Sequence, residues 1–148
     1  MNGGEKMKKV VLAAAVLSAP LLLTGCAKKQ TLTCTQSLLG MMDYEIKLDY
    51  KGDKASGGKM TISMDYEKMG ASEDELKKAK EEKLCDEFKK SSSEDIEKYA
   101  DKCTEKWDGS KVTITLSLKK KFGEEEGYKT LKEAQESLEK GNFQCEVK

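Results

Sequence analysis

The chain of 148 residues contains no histidine and no arginine, and all 27 of its basic residues are lysine. Imidazole bases and imidazole metal ligands are therefore excluded. So is the guanidinium fork that grips phosphates and base edges in two places, which removes the commonest tool of phosphoryl transfer and of nucleic-acid reading. Aromatic residues make up 6% of the chain, and its single proline is Pro20. With charged residues at 36%, this composition supports a small core under a highly solvated surface better than a large enzyme interior.

Charge is also absent from Val10 to Leu23, a run of 14 residues preceded by Lys6, Lys8 and Lys9. A membrane-spanning helix needs about 20 apolar residues, so the run has the layout of a secretory signal rather than of a permanent span. Leu23-Thr24-Gly25-Cys26 resembles the bacterial lipobox, in which a leucine and two small residues precede a cysteine. That resemblance implies a signal peptide over residues 1–25, a Cys26 carrying diacylglycerol as the new N-terminus, and a lipid-anchored protein on the outer face of the plasma membrane. Two or more acyl chains give a stable anchor, at about 0.8 kcal/mol per buried methylene. Residues 26–30 then form a short tether, with an extended reach of roughly 14 Å across Ala27, Lys28, Lys29 and Gln30. Lys28 and Lys29 fall where anionic headgroups would lie. Met7-Lys8-Lys9 is itself a typical signal opening, and Gly3-Gly4-Glu5 requires the purine-rich codons of a ribosome-binding site, so Met7 is an alternative start. Losing Glu5, Lys6, Lys8 and Lys9 with the leader leaves 24 lysines against 26 acids, a net charge of −2. Nothing in that balance attracts nucleic acid.

Residues 31–148 read as a single α+β domain, an antiparallel sheet of four to five strands with helices packed on one face. Met42, Tyr44, Ile46, Leu48 and Tyr50 alternate with Asp43, Glu45, Lys47, Asp49 and Lys51, which predicts a half-buried strand. A turn-rich loop from Gly52 to Gly58 leads to a second strand through Met60, Ile62, Met64 and Tyr66. Val112, Ile114, Leu116 and Leu118 predict a third, Leu32 with Cys34 a short one near the tether, and Phe143, Cys145 and Val147 a last. Ser72 to Glu75 reads as a capping box before a helix reaching about Lys90, with Leu76, Ala79, Leu84, Cys85 and Phe88 on one stripe. Ile96, Tyr99, Ala100 and Cys103 suggest a second helix after Ser91-Ser92-Ser93. Thr130 and Glu133 cap a third, which Gly141 stops.

Four cysteines remain after Cys26, and an extracytoplasmic address makes two disulfides their natural state. The favoured pairs are Cys85 with Cys103, on the stripes of consecutive helices, and Cys34 with Cys145, near the two chain ends. The two-residue spacings of zinc ribbons and of redox motifs are both missing. No cofactor is implied. Glu73-Asp74-Glu75 fits a helix's first turn and Glu124-Glu125-Glu126 a solvated loop. Trp107, Phe122 and Tyr128 fall in predicted loops, either as a contact surface or as the closure of a core. The polar sheet face, with Asp43, Glu45, Lys47, Asp49, Asp65 and Glu67, is either a plain wet side or a surface for a basic partner.

Tyr50-Lys51-Gly52-Asp53-Lys54, Met64-Asp65-Tyr66-Glu67-Lys68-Met69-Gly70 and Leu131-Lys132-Glu133-Ala134 resemble the YehR-like family of small bacterial lipoproteins, over about Asp43 to Cys145. That resemblance implies a lipid-anchored envelope protein and brings no activity with it. The expectation is a non-catalytic binding or structural protein of the cell envelope. An extracytoplasmic enzyme or redox protein using lysine, tyrosine, carboxylate or cysteine is the alternative.

Overall fold

The computed structural model describes residues 28–91 and 95–148. The expected leader, the lipidated Cys26 and the break at Ser92 and Ser93 lie outside them. No described helix is long and apolar enough to cross a membrane.

Six antiparallel strands form one sheet among the described residues: β1 (Lys29–Leu38), β2 (Met42–Lys51), β3 (Lys54–Asp65), β4 (Ala100–Asp108), β5 (Lys111–Leu118) and β6 (Gln144–Val147), in the spatial order β4-β5-β3-β2-β1-β6. Helices α1 (Glu73–Glu82), α2 (Leu84–Ser91) and α3 (Asp95–Tyr99) connect β3 to β4, while α4 (Leu131–Lys140) precedes β6. The α+β class and the one-sided cover are as expected; the strand count is six rather than four to five.

Alternation sets which side is covered. Leu32, Cys34, Ile46, Leu48, Tyr50, Ile62, Val112, Ile114, Leu116 and Leu118 all point to one face and are buried there. Burying such a side chain is worth about 1.5–3 kcal/mol, against about 1 kcal/mol for a helix cap, so this face governs the fold and the caps only fix helix ends. Two separate patches cover it. Ala134 and Leu138 of α4 sit with Leu32, Cys34, Ile46, Leu48, Tyr50 and Leu118, whereas Cys85 of α2 sits with Val112 and Ile114.

Three expectations change on the structure. The helix from Ser72 to Lys90 is two helices, because Lys83 adopts a left-handed φ of 50° and breaks the run. The five-residue step from Ala79 to Leu84, too long for one helical stripe, marks that break. The second expected helix stops at Tyr99, and Ala100 to Asp108 is the edge strand β4. Its inward positions are Cys103, Glu105 and Trp107, opposite Leu116, Ile114 and Val112, so one charged inward residue hides the alternation. The Gly52–Gly58 loop is a tight turn instead, since β3 starts at Lys54 and a bulge follows at Ser56. Gly57 and Gly58 are strand residues there: Gly57 has φ +135°, and a Cβ on Gly58 would stand 2.2 Å from the Lys47 carbonyl oxygen.

Cys34 joins Cys145, and Cys85 joins Cys103. The first bond links directly opposed residues of β1 and β6 at a pair that exchanges no backbone hydrogen bonds, where Cα atoms approach most closely. The second joins helix α2 to strand β4, not helix to helix. In the chain-entropy model, closing 111 residues stabilises by about 4.8 kcal/mol and closing 18 by about 3.2. Replacing Cys34 and Cys145 by alanine should therefore cost more than replacing Cys85 and Cys103, by about 1–2 kcal/mol in urea titrations. Equal costs would show that chain entropy is not what these bonds supply.

Tyr50 closes the bottom of the larger patch. Its ring is 1% exposed, and its hydroxyl donates to the Tyr128 carbonyl oxygen at 2.7 Å. Burial first, then the charges of Glu133 and Tyr128, push its ionisation up to about 12. The unfolded phenol ionises near 10, so this contribution to stability is complete below about pH 10 and disappears as pH rises toward 12. Tyr50→Phe should lower stability at pH 8 and flatten the fall in urea midpoint between pH 10 and 12; an unchanged alkaline fall would assign it to other groups.

Candidate functional site

The expected chemical groups do not converge. Among the described residues, no three or more of histidine, cysteine, aspartate and glutamate could hold a metal ion. Glu75 completes the capping box, its own amide donating to the Ser72 Oγ at 3.3 Å, while its Oε2 accepts from the Ser72 amide at 2.7 Å and the Ser72 hydroxyl at 3.0 Å, which holds its carboxyl below the usual range. Glu125 accepts from the Tyr99 hydroxyl at 2.6 Å and pairs with Lys98 at 3.7 Å, which lowers it likewise. Tyr50, the most strongly shifted group, is held protonated by its burial and cannot serve as a nucleophile or base near neutrality.

The three loop aromatics resolve as packing residues. Trp107 lies within β4, its ring centroid 5.5 Å from that of Tyr66 and its Nε1 donating to Glu105 Oε1 at 3.1 Å. Phe122, in the 3-10 turn Lys120–Glu124, and Tyr128 stack at 4.9 Å against the larger core patch. Glu105, which no sequence pattern singled out, has its second oxygen 2.9 Å from the Cys85 amide that donates to it. It thereby fixes the start of α2, and an inward charge on an edge strand discourages pairing with another sheet.

On the uncovered face, Asp43, Glu45, Lys47, Asp49 and Asp65 stand among threonines and serines. Local bonds engage the acids: Thr31 to Asp49 at 2.8 Å, Ser37 to Asp43 at 2.6 Å, Ser110 to Asp65 at 3.2 Å, and Lys47 to Glu45 at 3.1 Å. Glu67 is not on this face but in the turn after β3. None of the outward strand residues is aromatic, so the face offers no stacking platform for sugars or bases.

The unusual surface is on the covered side, at the end of the sheet away from Lys29. Register places Leu38, Met42, Met64, Val112 and Trp107 in one row across β1, β2, β3, β5 and β4. Helix α2 covers the Val112 side, and α4 covers positions nearer the other end. Between them an apolar cleft of about 380 Å³ stays open, lined by Met42, Tyr44, Ile62, Met64, Leu84 and Phe88, with Tyr66 and Glu87 at its border. The β1–β2 turn extends this surface with Leu38 at 45% and Leu39 at 89% exposure, and Met69 is 46% exposed beyond β3. Methionine side chains are flexible and polarisable, which suits a surface that must mould to a partner.

Leu39 is also strained. The Met41 amide donates to the Leu38 carbonyl at 3.0 Å, and the two residues between have φ 54° (Leu39) and 68° (Gly40). Such turns favour Asn-Gly, and a left-handed leucine costs about 1–2 kcal/mol. A strained residue that is also exposed and apolar gains nothing for the folded monomer, and such residues gather at binding sites. The signal was present in the sequence as Leu38-Leu39-Gly40-Met41-Met42, an apolar turn between two strands where polar residues are usual. Glu87 borders the strip, Glu67 follows β3, and Asp43 and Asp65 stand at the same end on the uncovered face; none of the four forms an ion pair with a described residue. Lys68, Lys106 and Lys111 stand at the same end, Lys111 directly opposite Asp65, so the rim carries charge of both signs.

No protein-family model, curated protein or solved structure matches the chain. Leu39→Asn should raise stability by about 1 kcal/mol in urea titration with an unchanged slope. A lower midpoint would mean that Leu39 packs within the monomer.

Proposed function

We propose that the chain is an exported lipoprotein, anchored through acylated Cys26, that serves as a non-catalytic binding module of the cell envelope. The resemblance to the YehR-like lipoproteins and the lipobox support the address. The observation that carries the binding reading is the apolar strip around Met42, Met64 and Leu39 at the sheet end opposite the tether, with Glu87 at its border. Its complement is a protein segment that presents apolar side chains. Such an interface takes its affinity from desolvating the apolar centre and its selectivity from the charged rim.

Two measurements test this. Intact mass of the native protein should show loss of the first 25 residues and a diacylglyceryl adduct on Cys26; a full-length unmodified chain sinks the address. A photo-crosslinking amino acid in place of Leu39 should yield a discrete protein adduct in cells, whereas one in place of Thr104 on the uncovered face should not. Asp65→Asn with Glu67→Gln should weaken the adduct several-fold. Identical patterns from both positions would contradict the binding surface.

A further inference from the structure

The opposite end of the sheet carries a different surface. Ladder register sets Lys29 opposite Lys51 and Lys51 opposite Lys54, and the Gly52 amide donates to the Lys28 carbonyl at 3.0 Å. Lys54, Lys120 and Lys129 then surround a depression of about 390 Å³ whose other walls are Asp53, Ala55, Gly123, Glu124 and Thr130. Its floor is tight, since a Cβ on Gly123 would stand 1.9 Å from the Ala55 Cβ. None of Lys28, Lys29, Lys51, Lys54, Lys120 and Lys129 forms an ion pair with a described residue. Two acids, Asp53 and Glu124, share the depression, so lysine predominates.

We infer that this end is a foot that seats the domain on an anionic phospholipid surface, with lipid phosphates against Lys54, Lys120 and Lys129. The inference rests on the acylation reading above. Cys26 precedes Lys28 by two residues, a reach of at most about 7 Å. Because β1 already includes Lys29 and Gln30, the tether is shorter than the sequence alone indicated. Anchoring there holds the lysines within about one Debye length of the headgroups, where attraction to anionic lipid is still felt. The Leu39 turn, which follows the last residue of β1, then lies about 30 Å from the foot and faces away from the bilayer. An isolated anchor would leave the domain free to tumble; the foot fixes which end a partner meets.

Lysine acetylation by a water-soluble ester, under single-hit conditions and read by mass spectrometry, tests this on the native acylated protein. Reconstituted in phosphatidylglycerol vesicles, Lys28, Lys29, Lys51, Lys54, Lys120 and Lys129 should react at least about fivefold more slowly than in phosphatidylcholine vesicles. Lys68, Lys106 and Lys111 at the far end should not change, and raised salt should abolish the difference. Lys54→Glu with Lys120→Glu and Lys129→Glu should remove the slowing at Lys28, Lys29 and Lys51. Equal rates in the two vesicles overturn the foot while leaving the anchor intact. Slowing by inorganic phosphate with phosphatidylcholine vesicles would assign the depression to a soluble anion instead. Absence of the acyl adduct in the same mass spectra removes the anchor, and the foot with it.

Discussion

The domain depends on one constraint, that a six-stranded antiparallel sheet with an apolar face must have that face taken out of water. Too little helix is available to do it completely. Helix α4 covers the β1–β2 side near the tether and α2 covers the β5–β4 side. At the centre of the far end Met42, Tyr44 and Met64 stay only half-buried, with Leu84 and Phe88 of α2 along one side. The candidate binding surface is thus the remainder of the same burial that folds the chain.

Each covering patch is also bolted covalently. Cys34–Cys145 holds the last strand beside β1 and so keeps α4 in place, while Cys85–Cys103 holds α2 against the edge strand. Glu105 adds a hydrogen bond to the α2 N-terminus from beneath. The two bonds tie the covers to opposite edges of the sheet, β6 and β4. The opening lies between them.

Much of the architecture is legible because the alternation is clean: β2 and β5 follow it almost to the residue, the capping box at Ser72 and the N-cap at Thr130 give two helix starts, and the favoured cysteine pairs are those in the structure. What escaped has particular causes. Strand β4 was hidden by Glu105, a charge on the buried side whose reason is tertiary. The strand assignment of Gly57 and Gly58 follows from a close approach to Lys47 that only the neighbouring strand reveals. The apolar strip was not recognised because its members are, one by one, ordinary core residues; that they lie open follows from where the helices stop. Of the two readings open for Trp107, Phe122 and Tyr128, closure of a core is the one that holds, since each packs against a core patch.

The claim on which the account turns is that the strip is open in the folded protein. Oxidation of the native protein by dilute peroxide, followed residue by residue, measures this directly, since methionine reactivity follows exposure. Met42 and Met64 should oxidise within roughly tenfold of the exposed Met69. Protection of both until the protein unfolds would show the far end of the sheet to be covered, and would contradict the account.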